Sequence, residues 1–296
     1  MHEYGLGIGK GQDKDSAPEP ESRTLISLVK AGSYSNCLNT VRMKSDKKKE
    51  IAMDYDSLLT LAKKRRSIRR FKPDPIPDEY IDKIIEVARW APSGFNLQPW
   101  EFVVVKKPEL RKKIVESITE YWKLAKRMEG TRESWQGKPW TTSGVLDAGM
   151  DFTTAPVFII LFGDTRTKVG LPMGVRYDSN RCDVIFTSSL ASAFLYMHLA
   201  ATALGLASQW VSAVTTPFAS CMVKDLLGVP VELEPYDMMA IGHPALHPSE
   251  KFMRDPKKMV HYDDCGQEDF RNEEEVKDFV KRSRNWTIGT HSRKAE

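Results

Sequence analysis

The chain has 296 residues, 41% of them hydrophobic and 28% charged, with a net charge of +4. This is the profile of a globular chain with a core to bury, not of a low-complexity or fibrous one. The basic surplus suits an anionic small molecule but is too small for a nucleic-acid argument, and no basic stripe interleaved with stacking aromatics supports one. Cys37, Cys182, Cys221 and Cys265 lie far apart with no CxxC pair, which argues against a zinc site or a disulfide framework and leads to an expectation of a reducing cytoplasm. No stretch reads as a membrane span. The most apolar one, Cys182 to Leu206, carries Asp183, Ser188, Ser189, Ser192 and His198 and suits a core helix.

Residues 1–53 differ from the rest. They mix Gly, Ser, Asp, Lys and Pro, end in the run Lys47, Lys48, Lys49, and read as a poorly ordered tail with no signal peptide. One account is that native translation starts at Met43 or Met53. Gly5 to Gly11 lacks both a preceding strand and the GxGxxG spacing, so it is not read as a phosphate loop. A single domain is expected over 54–260, with 261–296 as a C-terminal extension bearing a short helix that starts at Glu273, Glu274 and Glu275.

Within the domain, Asp56 is placed as the cap of a helix through Leu58, Leu59 and Leu61 to Arg65. After the turn at Pro73 to Pro77, Ile81, Ile84, Ile85 and Ala88 recur at helical spacing until Pro92. Phe102 to Val105 reads as a strand, Pro108 to Met128 as a long polar helix, and Trp135 to Ser143 as an aromatic, lid-like loop. Val157 to Phe162 is a continuous apolar strand. Val184 to Leu204 is a helix apolar on nearly every side, expected in the middle of the molecule. A strand at Trp210 to Val214, a helix at Phe218 to Leu227 closed by Gly228, and a strand at Met238 to Ile241 complete the series. Strands and helices mix without strict βαβ alternation, so the fold class is α+β.

Four segments carry candidate chemistry. Arg65-Arg66-Ser67-Ile68-Arg69 sets three guanidiniums around a hydroxyl, a donor set for phosphate or carbonyl oxygens; a solvated basic helix end is the plainer reading. Ala91-Pro92-Ser93-Gly94-Phe95-Asn96-Leu97-Gln98-Pro99-Trp100 packs donors and acceptors into one turn, as reading a pyrimidine-like edge requires; it also reads as a simple helix-to-strand connection. Val214-Thr215-Thr216-Pro217 follows a strand, and Arg254 follows the last one. Alone, neither of these two says much.

Taken in order, and with Ala240-Ile241-Gly242-His243-Pro244, these segments resemble the nitroreductase superfamily over roughly residues 54–257, and within it most resemble the iodotyrosine deiodinase branch. The resemblance implies a three-layer α/β/α sandwich with a mixed, largely antiparallel sheet, a long buried central helix, and an obligatory homodimer with FMN at its interface. It implies that Arg65, Arg66, Ser67 and Arg69 hold the FMN phosphate, ribityl chain and N1/C2 edge. Pro92, Ser93, Gly94 and Asn96 would line the ring, as would Val214, Thr215 and Thr216, with the Thr216 hydroxyl near N5 as the catalytic group, and Arg254 would reach the phosphate. A cation near N1 favours the anionic reduced flavin and so its reduction by NAD(P)H. Phe95, Glu120, Tyr121 and Trp140 are the expected substrate contacts. Gly149 stands where the deiodinases place a lysine, which argues against iodotyrosine. The aromatics Tyr121, Trp122, Trp135 and Trp140 suit a flat acceptor instead.

The expected activity is ping-pong hydride transfer from NAD(P)H to an electron-poor aromatic or unsaturated acceptor. The alternatives are a reductive dehalogenase, a flavin-fragmenting enzyme of the cobalamin lower-ligand type, and a non-enzymatic flavin-binding redox partner. No metal is expected: Pro244 breaks the His243/His247 spacing. His198 reads as a hydrogen-bonded core histidine, and neither Cys221 nor Cys265 as a nucleophile.

Overall fold

The computed structural model describes residues 54–136, 151–246 and 250–291, all within one unit, Met53–Glu296. Helix α1 spans Tyr55–Lys64 and is capped by Asp54, whose carboxylate accepts the Ser57 N–H at 2.7 Å. The expected cap, Asp56, lies instead in the first turn, because the extended backbone of Asp54 puts the earlier carboxylate over the free amides. Helix α2 spans Asp78–Arg89, strand β1 Trp100–Val105, helix α3 Pro108–Met128 and strand β2 Val157–Asp164. The one-turn α4, Met173–Arg176, precedes the long α5, Ser179–Ala203. Then come β3, Ala207–Val211; α6, Pro217–Leu227; β4, Leu233–Gly242; and α7, Glu273–His291.

The four strands run in the order β1-β2-β4-β3 and every pair is antiparallel. The mixed sheet expected from the sequence is reduced to one parallel bridge, Ser67 with Ser208. Side chains of β2 and β4 alternate between two cores, as the two-residue period of a strand dictates. Ile159, Leu161, Met239 and Ile241 pack with Ile84 of α2 and with Phe194 and Met197 of α5. Phe158, Ile160, Phe162, Met238 and Ala240 pack with Ile114 and Ile118 of α3 and with Val223 of α6. Both faces of β2 and the end of β4 are therefore buried, which gives the three helix-sheet-helix layers.

Several boundaries depart from expectation: β1, β3 and β4 begin earlier, at Trp100, Ala207 and Leu233. Strand β3 ends at Val211, and residues 212–215 form a 3-10 turn held by the Thr215 hydroxyl on Ser212 O at 2.8 Å and the Thr216 hydroxyl on Ala213 O at 2.9 Å. These side-chain bonds offer the backbone an alternative to the ladder. Helix α5 begins earlier than Val184, where Asp178 accepts the Arg181 N–H at 3.2 Å. It is not buried all round: Val184 and Leu195 are 66% and 44% exposed. Helix α7 runs 19 residues rather than being short; it packs on the turn Ser134–Gln136 and joins α3's end through an Arg284–Glu129 ion pair.

Candidate functional site

The arginine segment is fixed by the sheet edge. Arg65 caps the end of α1, Ile68 N donates to Ser208 O at 3.1 Å, and Lys72 N donates to His243 O at 2.9 Å. Residues 65–72 thus lie along the β3 edge and cross to the end of β4, covering backbone groups that would otherwise stay unpaired. Arg65, Arg66 and Arg69 are half-buried. Burial, and then the neighbouring Arg66 charge, lower the Arg65 pKa; burial also lowers that of Arg69. Crowded cations taken out of water are stabilised by an anion, so this donor set fits a phosphate or a developing oxyanion.

The second segment is a strained turn bound to α5. Gly94 N donates to Ser189 Oγ at 3.0 Å, and the Ser192 hydroxyl donates to Pro92 O at 2.7 Å. Ser93 Oγ accepts the Gln98 N–H at 3.1 Å. Phe95, Asn96 and Gln98 have φ of 53°, 54° and 46°. A left-handed phenylalanine is costly, by about 1–2 kcal/mol, and such strain gathers where a turn is held for a purpose. The Phe95 ring is 60% exposed. Phe95→Asn is expected to raise stability by about 0.5–1 kcal/mol, read from the urea midpoint, since asparagine tolerates this region. An unchanged or lowered midpoint would show that the ring contributes packing that its exposure conceals.

The third segment leaves β3. The Val214 side chain is fully buried in the core beside α6, so only its backbone can face a ligand. Thr215 is exposed and Thr216 half-buried. The Thr216 proton is directed to Ala213 O, which leaves its oxygen lone pairs to accept. Arg254 donates to Lys258 O at 3.0 Å. Glu120 and Tyr121 sit within the continuous α3, with Glu120 paired to Lys123 at 2.6 Å and Tyr121 edge-on to Trp122. Trp140, Gly149 and His247 lie outside the described residues. Among the described residues, no three His, Cys, Asp or Glu side chains gather as a metal site.

The structure brings two of the four segments together on β3: the arginines at Ser208 and the threonines just past Val211. The Gly94 turn stands apart. It is tied to α5 at Ser189, whereas the end of α5 beside Ser208 is His198. Nine residues of helix separate those anchors, about 14 Å at the α-helical rise.

Sequence reasoning gave His198 only a core role and did not single out Asp237. The His198 ring is buried, with Nδ1 2.7 Å from Ser208 Oγ and its plane stacked on Trp210 at 5.5 Å. Burial first, and the Arg65 charge second, push its pKa down to about 3. Asp237, also buried, accepts the Trp210 indole N–H; burial pushes its pKa up to about 6, with Trp210 and Ser212 opposing. The available signal was a carboxylate directly before the apolar run Met238 to Ile241.

The described residues thus build a layered α+β frame with a cation-lined sheet edge. A model described as the Nitroreductase family matches residues 62–243, and the chain belongs to that family of oxidoreductases. It is 39% identical over 121 residues to iodotyrosine deiodinase 1 of Rattus norvegicus, covering 38% of this chain and 39% of that protein. It is 35% identical over 194 residues to iodotyrosine deiodinase of Drosophila melanogaster, covering 63% and 62%. The matches thus span less than two thirds of either relative's length. Nitroreductase CinD from Lactococcus lactis, solved in complex with chloramphenicol, superposes with a TM-score of 0.56 over 70% of this chain and 100% of that one. At 19% identity this likeness shows the fold.

Proposed function

We propose that this chain is an FMN-dependent oxidoreductase, working as a homodimer, that takes a hydride from NAD(P)H and reduces an electron-poor aromatic or unsaturated acceptor by a ping-pong mechanism. The observation that carries the reading is the separation of the two halves of the site along α5. Val184, Ser188, Ala191 and Leu195 recur every three or four residues and form one stripe of that helix; Val184, Ser188 and Leu195 are exposed and Ala191 half-buried. We take a second protomer to cover this stripe about a two-fold axis, so that one site draws on residues of both chains. A site split in this way is incomplete in one chain.

The residues fit the cofactor. Arg65, Arg66 and Arg69 supply guanidinium forks to a phosphate and a carbonyl edge, Ser67 and Asn96 supply hydroxyl and amide groups, and Thr216 offers an acceptor. The flavin supplies the hydride chemistry; the chain's residues bind it, orient it and hold charge near it. Phe95, with Tyr121 on α3, suits a flat acceptor. The reductive-dehalogenase reading is favoured by the two deiodinase relatives.

The purified protein is expected to be yellow and to release FMN on denaturation. Arg69→Ala should weaken FMN binding about 10- to 100-fold, read by flavin fluorescence titration, since a hydrogen bond to a charged group contributes about 1.5–3 kcal/mol. Wild-type protein that is colourless and takes up no added FMN overturns the proposal. Anaerobic turnover of nitroaromatic, haloaromatic and enoate acceptors, with halide release followed in parallel, separates reductase from dehalogenase.

A further inference from the structure

Ser208 and Trp210 alternate along β3 and so share one face, and Ser212 follows directly where the strand gives way to the turn. Ser208 meets His198 of α5 at 2.7 Å, and its backbone pairs with the arginine segment at Ser67 and Ile68. Trp210 stacks on His198 with 7° between planes and donates its indole N–H to Asp237 Oδ2. The Ser212 hydroxyl also favours the charged form of Asp237, and Ser212 opens the turn that delivers Thr215 and Thr216. A single polar row thus runs from the arginines to the threonines, with His198 at one end and Asp237 at the other. Asp237 lies opposite Leu161, where the β2–β4 register shifts, so the carboxylate sits in a local break of the ladder. Its Oδ1 is buried without a full hydrogen bond. An ionised carboxylate in the central strand of an apolar core has no structural need to be there, because a hydrophobic residue would serve the sheet better.

We infer that Asp237 is a positioning residue of the site: in its charged form it holds Trp210 and Ser212, and through them sets the threonine turn relative to the arginine segment on the same strand. The inference rests on the reading that these two segments bind FMN. Tyr236 on β4 neighbours Asp237, its phenol pushed up by burial and by the Asp237 charge, while His198 on α5, neutral above about pH 3, meets the row through Ser208 and Trp210. Arg65 acts on His198 from the arginine segment. With His198 neutral and Arg65 charged throughout, Asp237 is the group of this row that changes charge between pH 5 and 7.5.

The test is the FMN dissociation constant of Asp237→Asn relative to wild type, measured from pH 5 to 7.5. In that ratio the phosphate's own titration near pH 6 cancels. The expected ratio is near one at pH 5, where both side chains are neutral, and rises about three- to tenfold by pH 7.5 as wild type gains its anchored charge. Trp210 fluorescence without flavin, taken as wild type minus Trp210→Phe, should titrate with the same midpoint. A ratio that stays constant with pH overturns the inference while leaving the flavin reading intact; wild type that binds no FMN at any pH overturns the flavin reading itself. Should Asp237→Asn fail to fold, Ser212→Ala decides: removing a donor to the carboxylate must move the fluorescence midpoint upward, and an unmoved midpoint counts against the assignment.

Discussion

Asp237→Asn should stabilise the fold at pH 7.5 by about 1–3 kcal/mol, even though it weakens cofactor binding. The folded-state pKa of Asp237 is raised from 3.8 to about 6 by burial. At pH 7.5 the folded protein carries a charge that the unfolded chain holds more easily, and removing it is favourable. The same variant should then become acid-sensitive. As pH falls through 6, folded Asp237 takes up its proton before the unfolded carboxyl does, so wild type gains stability over that window. His198 does the reverse. Its folded pKa of about 3 lies below the unfolded 6.5, so the unfolded chain binds the proton first and stability is lost as pH falls below 6.5. Between pH 6.5 and 4 the histidine alone costs on the order of 3 kcal/mol, at roughly 1.4 kcal/mol per pKa unit. In wild type the two nearly offset each other; in Asp237→Asn the histidine loss is uncovered. Urea unfolding at pH 7.5, 6 and 4 checks this. Parallel stability profiles for the two proteins would show that Asp237 does not titrate in this range.

Gly94→Ala should cost about 1–3 kcal/mol, the usual penalty for overpacking. A Cβ at Gly94 would collide with Cγ2 of Ile185 on α5, far inside the roughly 3.5 Å of ordinary carbon contact. The turn cannot simply lift away. Gly94 N is held by Ser189, Pro92 O by Ser192, and the residues behind it are already in left-handed conformations. Ile185→Ala opens the space, so the double variant should lose less than the sum of the two single changes, a coupling of about 0.5–3 kcal/mol for residues in contact. Strict additivity in denaturant midpoints would mean that the Gly94 backbone does not press on α5. The same contact predicts lost flavin affinity in Gly94→Ala, because the turn carries Ser93 and Asn96.

Much of this architecture was legible in chain order. The apolar run of β2 announced a strand buried on both faces, the Ile81, Ile84 and Ala88 spacing announced α2, and Gly228 in left-handed conformation closes α6 where a glycine was expected to. The end of β3 was not legible. Trp210 to Val214 reads as a strand, but the Thr215 and Thr216 hydroxyls, bonded to carbonyls three residues back, curl the chain into a turn from Ser212. The exposed stripe of α5 was hidden for a different reason. An apolar side chain looks the same to composition whether it meets its own sheet or stays on the outer face of the helix.

The sequence by itself determined the α+β class, the arginine and amide motifs, and membership in the Nitroreductase family, because these depend on local spacing and on side-chain chemistry that each segment carries with it. Only the tertiary structure decided that the arginines and threonines flank one strand, that the Gly94 turn is anchored about 14 Å away along α5, and that Asp237 and His198 bracket the row between them. Those relations join residues as far apart as Ser67 and Ser208, and they are set by how sheet and helix layers bury their faces together, which no local pattern encodes.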